Sequence, residues 1–106
     1  MTDAKMEESY RAALVAATKE VVGLEAEQAG VQYKVKTCSV FRSINSKWTL
    51  KAVMHGTSRR DEIVVNCAVS DEFMSGCWEE HGPDLGKLLM AGTVKRLFQA
   101  EIARVV

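Results

Sequence analysis

Between Val31 and Arg60 the chain has no carboxylate, and between Asp61 and Gly82 it has no lysine or arginine. The first absence leaves seven bases unopposed (Lys34, Lys36, Arg42, Lys47, Lys51, Arg59 and Arg60), and the second leaves six acids unopposed. Residues 1–30 carry six acids against three bases, and residues 83–106 carry four bases against two acids. The formal net charge of zero therefore hides blocks of opposite sign. Such blocks set up local potentials that steer an anionic partner, or an oppositely charged patch of another copy.

Other absences narrow the class. Three cysteines (Cys38, Cys67, Cys77) are too few and too unevenly spaced for a disulfide framework, and none forms the close pair that structural zinc sites use. Reduced thiols in a cytoplasmic compartment are the expectation. The start, Met-Thr-Asp-Ala-Lys, holds no apolar run of the signal-peptide kind, and no stretch approaches the roughly 18 apolar residues of a membrane span. The seven glycines match neither a phosphate-binding loop nor a dinucleotide fingerprint. Internal repeats and low-complexity segments are absent. With 47% apolar and 26% charged residues, the 106-residue chain fits one globular domain, residues 1–106.

What is present is periodicity. Met6, Tyr10, Ala13, Leu14, Ala17, Val21 and Leu24 recur every three or four residues, with most charges elsewhere on the wheel. The pattern predicts a helix from about residue 3 to 29, capped by Thr2 or Asp3, closed by Gly30 and about 40 Å long. Ala12, Ala13, Ala16 and Ala17 would let a second copy approach closely. After Gly30 the period drops to two. Val31, Tyr33 and Val35 alternate with Gln32, Lys34 and Lys36, and Phe41 is expected to point inward. Ser43–Ser46 reads as a turn. Trp48, Leu50, Ala52 and Met54 share one face of a second strand, residues 56–61 read as a hairpin loop, and Ile63, Val65, Cys67 and Val69 line a third strand.

Ser70-Asp71-Glu72 resembles a helix cap, and Phe73, Met74, Cys77 and Trp78 fit either a short amphipathic helix or a packed loop. Gly82-Pro83 breaks the chain, and Pro83 suits the opening of a last helix at about Asp84. Its apolar residues, Leu85, Leu88, Leu89, Val94, Leu97, Phe98, Ile102 and Val105, spread widely around the wheel. A second contact surface, most simply a homodimer, follows. The expected fold is α+β and two-layered: a long N-terminal helix, a three-stranded antiparallel meander and a C-terminal helix. Trp48, Leu50, Ile63, Val65, Tyr10, Leu14, Leu88 and Phe98 are its expected core.

The candidate partner-binding residues are Lys34, Lys36, Lys51 and His55 on the open sheet face, with Arg59 and Arg60 at one hairpin end and Arg42 and Lys47 at the other. An acidic protein surface or a phosphate backbone suits such a face. Single-strand binders usually add stacking rings, which this face lacks. The plainer reading is a solvated face whose lysines discourage edge-to-edge pairing. Cys77 and His81, four residues apart on a helix, could form an activated thiol, though nothing orients the imidazole. Cys67, Cys77 and His81 lack metal-ligand spacing. Asp71, Glu72, Glu79 and Glu80 read as a solvated acidic face.

In element order the chain resembles double-stranded-RNA-binding domains, although its last helix opens with Pro83-Asp84-Leu85-Gly86 where theirs carries a basic cluster. It also resembles the Alu-domain proteins of the signal recognition particle, which use a basic sheet for RNA. Residues Ile63–Val106 are similar to nucleoid-associated proteins of the YbaB type, with an acidic stretch before a terminal helix. These likenesses lie in architecture, and a fold does not fix a function. The sequence reading is therefore a small non-catalytic binding or adaptor domain, homodimeric, without cofactor, metal or membrane. Nucleic-acid binding is the alternative, and a small thiol-dependent enzyme comes third.

Overall fold

In the computed structural model, which describes residues 4–42, 47–58 and 60–105, the first helix ends eight residues before the periodicity predicted. Helix α1 spans Ala4–Val21, about 27 Å. Gly23, with φ of 98°, takes the left-handed turn that closes it, and its amide donates to the Val35 carbonyl at 3.0 Å. The Val35 amide returns a bond of 2.8 Å to the Leu24 carbonyl. The helix end is thereby stitched to the sheet.

Glu25–Gln28, read as helix in the sequence, is a strand, β1. It pairs antiparallel with β2 (Val31–Arg42) from Gln28↔Val31 onward, across the two-residue turn Ala29-Gly30. Both turn residues have positive φ, 52° and 80°, which is the type I′ geometry that suits the twist of a hairpin. β3 (Lys47–His55) and β4 (Glu62–Ser70) complete one antiparallel sheet in the order β1-β2-β3-β4. The fold is α+β as expected, with four strands in place of three. The turn expected at Ser43–Ser46 and the cap expected at Thr2 or Asp3 lie outside the described residues.

A β-bulge separates Val35 from Thr37: Val35 pairs with Met54 and Thr37 with Val53, so Lys36 is surplus to the ladder. Beyond it the alternation changes phase. Cys38, Val40 and Arg42 take the inward positions, whereas Phe41, expected inside, stands on the open face with 51% of its surface exposed.

The Ser70 hydroxyl caps α2 (Asp71–Val105) by accepting from the Phe73 amide at 3.1 Å. Residues 71–81, helix or loop by sequence, are helical. Gly82 then adopts φ 80°, ψ 170°, a conformation essentially closed to other residues, and Pro83 starts a second arm. Trp78 on the first arm packs against Gly86 on the second.

The core lies between the helices and one sheet face. Tyr10 and Leu14 of α1, Trp48, Leu50 and Met54 of β3, and Met74, Met90, Val94 and Phe98 of α2 are all sealed from solvent. Ala13 and Ala17 are buried inside this core, with α1 lying against α2. They serve the fold itself. Of the expected core, Ile63 is half-buried and Leu88 is a plain miss, with 72% of its surface exposed. The buried stripe of the second arm runs through Gly86, Met90, Val94, Phe98 and Ile102, and Leu88 lies off it.

The sheet's two edges differ. β1 has four residues, two of them glutamates, and Gln28 ties it to the end of α2 through a 3.1 Å bond to the Val105 carbonyl. β4 has nine residues with Glu62 its one charge, and among the described residues no strand pairs with its outer side.

Candidate partner-binding surface

Strand register fixes what stands beside what on the open face. One row reads Glu25, Lys34, His55, Glu62 across the four strands. A second reads Thr37, Val53, Val64; a third Ser39, Lys51, Asn66; a fourth Phe41, Thr49, Ala68. Lys34, Lys51 and His55 therefore share one surface, with Lys36 exposed at the bulge beside it. Arg60 is exposed in the β3–β4 hairpin, and Arg59 lies outside the described residues.

The register also brings carboxylates that sequence distance concealed. Lys34 is directly flanked by Glu25, and His55 by Glu62. Along β3, His55 and Lys51 are four residues apart, about 13 Å, which exceeds the roughly 8 Å screening length at physiological salt. The surface holds neighbouring Lys34 and His55 with a carboxylate on either flank, Lys51 set apart from them, and apolar side chains (Phe41, Val64) exposed among them. Only the three-dimensional pairing shows this, because β1 contributes Glu25 from outside the acid-free stretch.

Arg42, placed by sequence at the end of the basic face, is instead turned inward by the bulge. Its Nη1 and Nη2 donate to Asp71 Oδ1 and Oδ2 at 2.6 and 2.7 Å, and its Nε lies 3.2 Å from Glu7 Oε1. The guanidinium sits 4.7 Å from the centre of the Trp48 ring, and Arg11 lies 5.1 Å from the same ring. Trp48 Nε1 donates to Asp71 Oδ1 at 3.0 Å. The hydrogen bonds and charge of Arg42 hold the Asp71 carboxyl below its usual range, and the bond to Asp71 in turn raises Arg42. This cluster ties α1, β2, β3 and α2 together. One base of the candidate patch is thus consumed by the fold.

All three cysteines are free thiols, Cys67 buried and Cys38 and Cys77 half-buried. Burial pushes Cys38 and Cys67 up to about 11, so both stay protonated at neutral pH. Cys77 Sγ is directed at the Gly86 carbonyl, 3.8 Å away, while His81 Nε2 lies 3.7 Å from Glu80 Oε2. Cys77 and His81 do line one depression, but each is turned to a different neighbour. Among the described residues no three His, Cys, Asp or Glu side chains converge as metal ligands, and no helix is long and apolar enough to cross a membrane.

The outer side of α2, where the sequence implies a second contact surface, carries a groove. Between the arms of α2 a depression of about 520 Å³ is lined by Phe73, Cys77, His81, Leu89 and Thr93. It adjoins one of about 410 Å³ lined by Phe73, Thr93, Leu97 and the end of β4. Phe73 and Thr93 belong to both, so the two form one groove. The signal available beforehand was the four-residue spacing of Leu85, Leu89, Thr93 and Leu97, which sets one row along the second arm.

The chain matches no family model, no curated protein and no solved structure.

Proposed function

We propose that this protein is a small non-catalytic adaptor domain, homodimeric, that engages a protein partner through its open sheet face. The observation that carries the reading is the row Glu25, Lys34, His55, Glu62, beside exposed Phe41 and Val64. Basic side chains flanked by carboxylates, with apolar anchors beside them, suit a protein surface of complementary pattern, where charges set orientation and association rate. The partner's matching patch is acidic opposite Lys34, Lys36, Lys51 and Arg60, with an apolar centre to receive Phe41.

A nucleic-acid partner fits less well. Tracking a phosphate backbone favours a run of cations without carboxylates beside them, and Glu25 and Glu62 flank Lys34 and His55 on the two edge strands. Phe41 is the one exposed ring among the described residues of this face, short of the successive stacking platforms of single-strand binders.

The test is charge reversal of Lys34, Lys36 and Lys51 together to glutamate. These side chains are exposed, so the variant should fold like the wild type. A photo-crosslinking residue at Phe41, used in cells that make the protein, should give a discrete protein adduct that the reversed variant loses. Nucleic-acid binding should be negligible at about 150 mM salt. Tight, sequence-selective binding to RNA or DNA at that salt, with no protein adduct, would replace this reading by the nucleic-acid one.

A further inference from the structure

We infer that the outer side of the α2 hairpin is the docking surface for a second copy of this chain, whose own α2 hairpin packs across it by two-fold symmetry into a four-helix arrangement. This deepens the homodimeric part of the reading above and is independent of the sheet face.

Exposed apolar surface is the first observation. Phe73, Leu89 and Leu97 are 38–49% exposed and line the groove, and Leu85, 48% exposed, lies four residues before Leu89 on the same helical arm. Apolar residues clustered on one helical surface mark an interaction site more often than scattered ones do. A groove between two helical arms accepts a further helix, whose side chains enter between the arms as ridges enter grooves.

Charge decides which helix. The first arm, residues 71–81, carries Asp71, Glu72, Glu79 and Glu80 and no lysine or arginine. The second arm, residues 83–105, carries Lys87, Lys95, Arg96 and Arg104 against Asp84 and Glu101. At the groove itself Glu72 and Glu80 line the first-arm side. On the other side the Arg96 guanidinium lies against Thr93, its Nη2 3.4 Å from the Thr93 hydroxyl oxygen. In the isologous pair that sets the first arm of each copy against the second arm of the other, the Glu72 and Glu80 edge faces the partner's Arg96 edge, and the two-fold axis makes that contact twice. Apart from Lys47 at the β4 end of the groove, acids lie along the first arm and Arg96 on the second, a pattern that is complementary to itself. A strand or an unrelated helix would need this pattern by coincidence. Phe73 and Leu97 of the two copies would fill the centre, with the charges at the rim.

The experiment measures oligomeric mass by sedimentation equilibrium up to about 100 μM, the weak end of specific association. The wild type should weigh twice the chain mass, and Leu89→Glu should be monomeric with an unchanged far-UV spectrum. Arg96→Glu should weaken the dimer at least about tenfold, and adding Glu72→Arg and Glu80→Arg should bring it back to within about threefold. The reversal arm uses only exposed side chains, so it remains informative if Leu89→Glu fails to fold. A wild type that stays monomeric overturns the inference and leaves the sheet-face reading to its own test. A dimer indifferent to Leu89→Glu and to the reversals places the interface elsewhere and overturns it too.

Discussion

Arg42 and Asp71, 29 residues apart in the chain, meet in two parallel hydrogen bonds of 2.6 and 2.7 Å at the point where β2 ends and α2 begins. The geometry is the planar fork that a guanidinium offers a carboxylate. Because Trp48 Nε1 also donates to Asp71, the carboxylate holds a strand end and the largest buried side chain of the core in one place.

Replacing Asp71 by alanine should therefore cost about 2–3 kcal/mol, the range for losing hydrogen bonds to a charged group and leaving a buried donor unmet. Arg42→Lys should recover only part of it, since an ammonium cannot reproduce the fork. Urea unfolding of the three proteins measures this. A loss below about 0.5 kcal/mol for Asp71→Ala would mean that the cluster is a solvated ion pair.

Acid should act through the same group. Asp71 has its folded-state value lowered, chiefly by the hydrogen bonds from Arg42. Its contribution is complete above the unfolded carboxylate value, about 3.9, and is lost as pH falls through the lower folded value. Stability of the wild type and of Asp71→Asn should differ at pH 6 and converge toward pH 2. A gap that persists unchanged at pH 2 would show that the carboxylate charge is irrelevant.

Trp48 and Leu88 make a paired test of the packing. Trp48 is 0% exposed and Leu88 is 72% exposed. Trp48→Ala should cost about 3–5 kcal/mol, enough to unfold a marginal domain, whereas Leu88→Ser should stay within about 0.5 kcal/mol. Comparable losses at the two positions would contradict the orientation of the second arm.

The bulge supplies a prediction about deletion. Since Lys36 is surplus to the β2–β3 ladder, removing it leaves Val35, Cys38, Val40 and Arg42 on the inward face and only regularises the pairing. Deleting Lys36 should cost no more than about 2 kcal/mol. Deleting Lys51 from β3 has no such slack and would turn Trp48 and Leu50 outward, so that variant should lose its cooperative melting transition. If both deletions behave alike in thermal unfolding, the bulge is misplaced.

The sheet face was legible because period two is a strong signal wherever one side of a strand is buried: Trp48, Leu50, Ala52 and Met54 are all inward. What escaped was local and short. Glu25–Gln28 is a four-residue strand inside a stretch rich in helix-forming glutamate and alanine, and tertiary pairing with β2 overrides that propensity. Gly23 and the pair Ala29-Gly30 were the available marks of its ends. The bulge had a mark too. Apolar residues occupy odd positions through Val31, Tyr33 and Val35 and even positions at Cys38 and Val40, a change of phase that one extra residue explains. Missing it misplaced Phe41 and Arg42 together, and with them the composition of the candidate patch. The sequence implies a second contact surface on the last helix but not where it lies, because eight apolar residues around one helix do not reveal which side the domain itself covers.

The unlike edges of the sheet have a consequence for how this molecule behaves when crowded or heated. Each copy has one strand long and apolar enough to template another, and one that is short, acidic and tied down. Any strand-by-strand joining of intact copies is therefore expected to take place once, β4 to β4, and then stop, because both outward ends of such a product are β1. Fibre growth needs two receptive ends. Further growth is expected to need the Ala29-Gly30 hairpin to open and expose β2, which gives the first four-residue strand the place of a chain terminator.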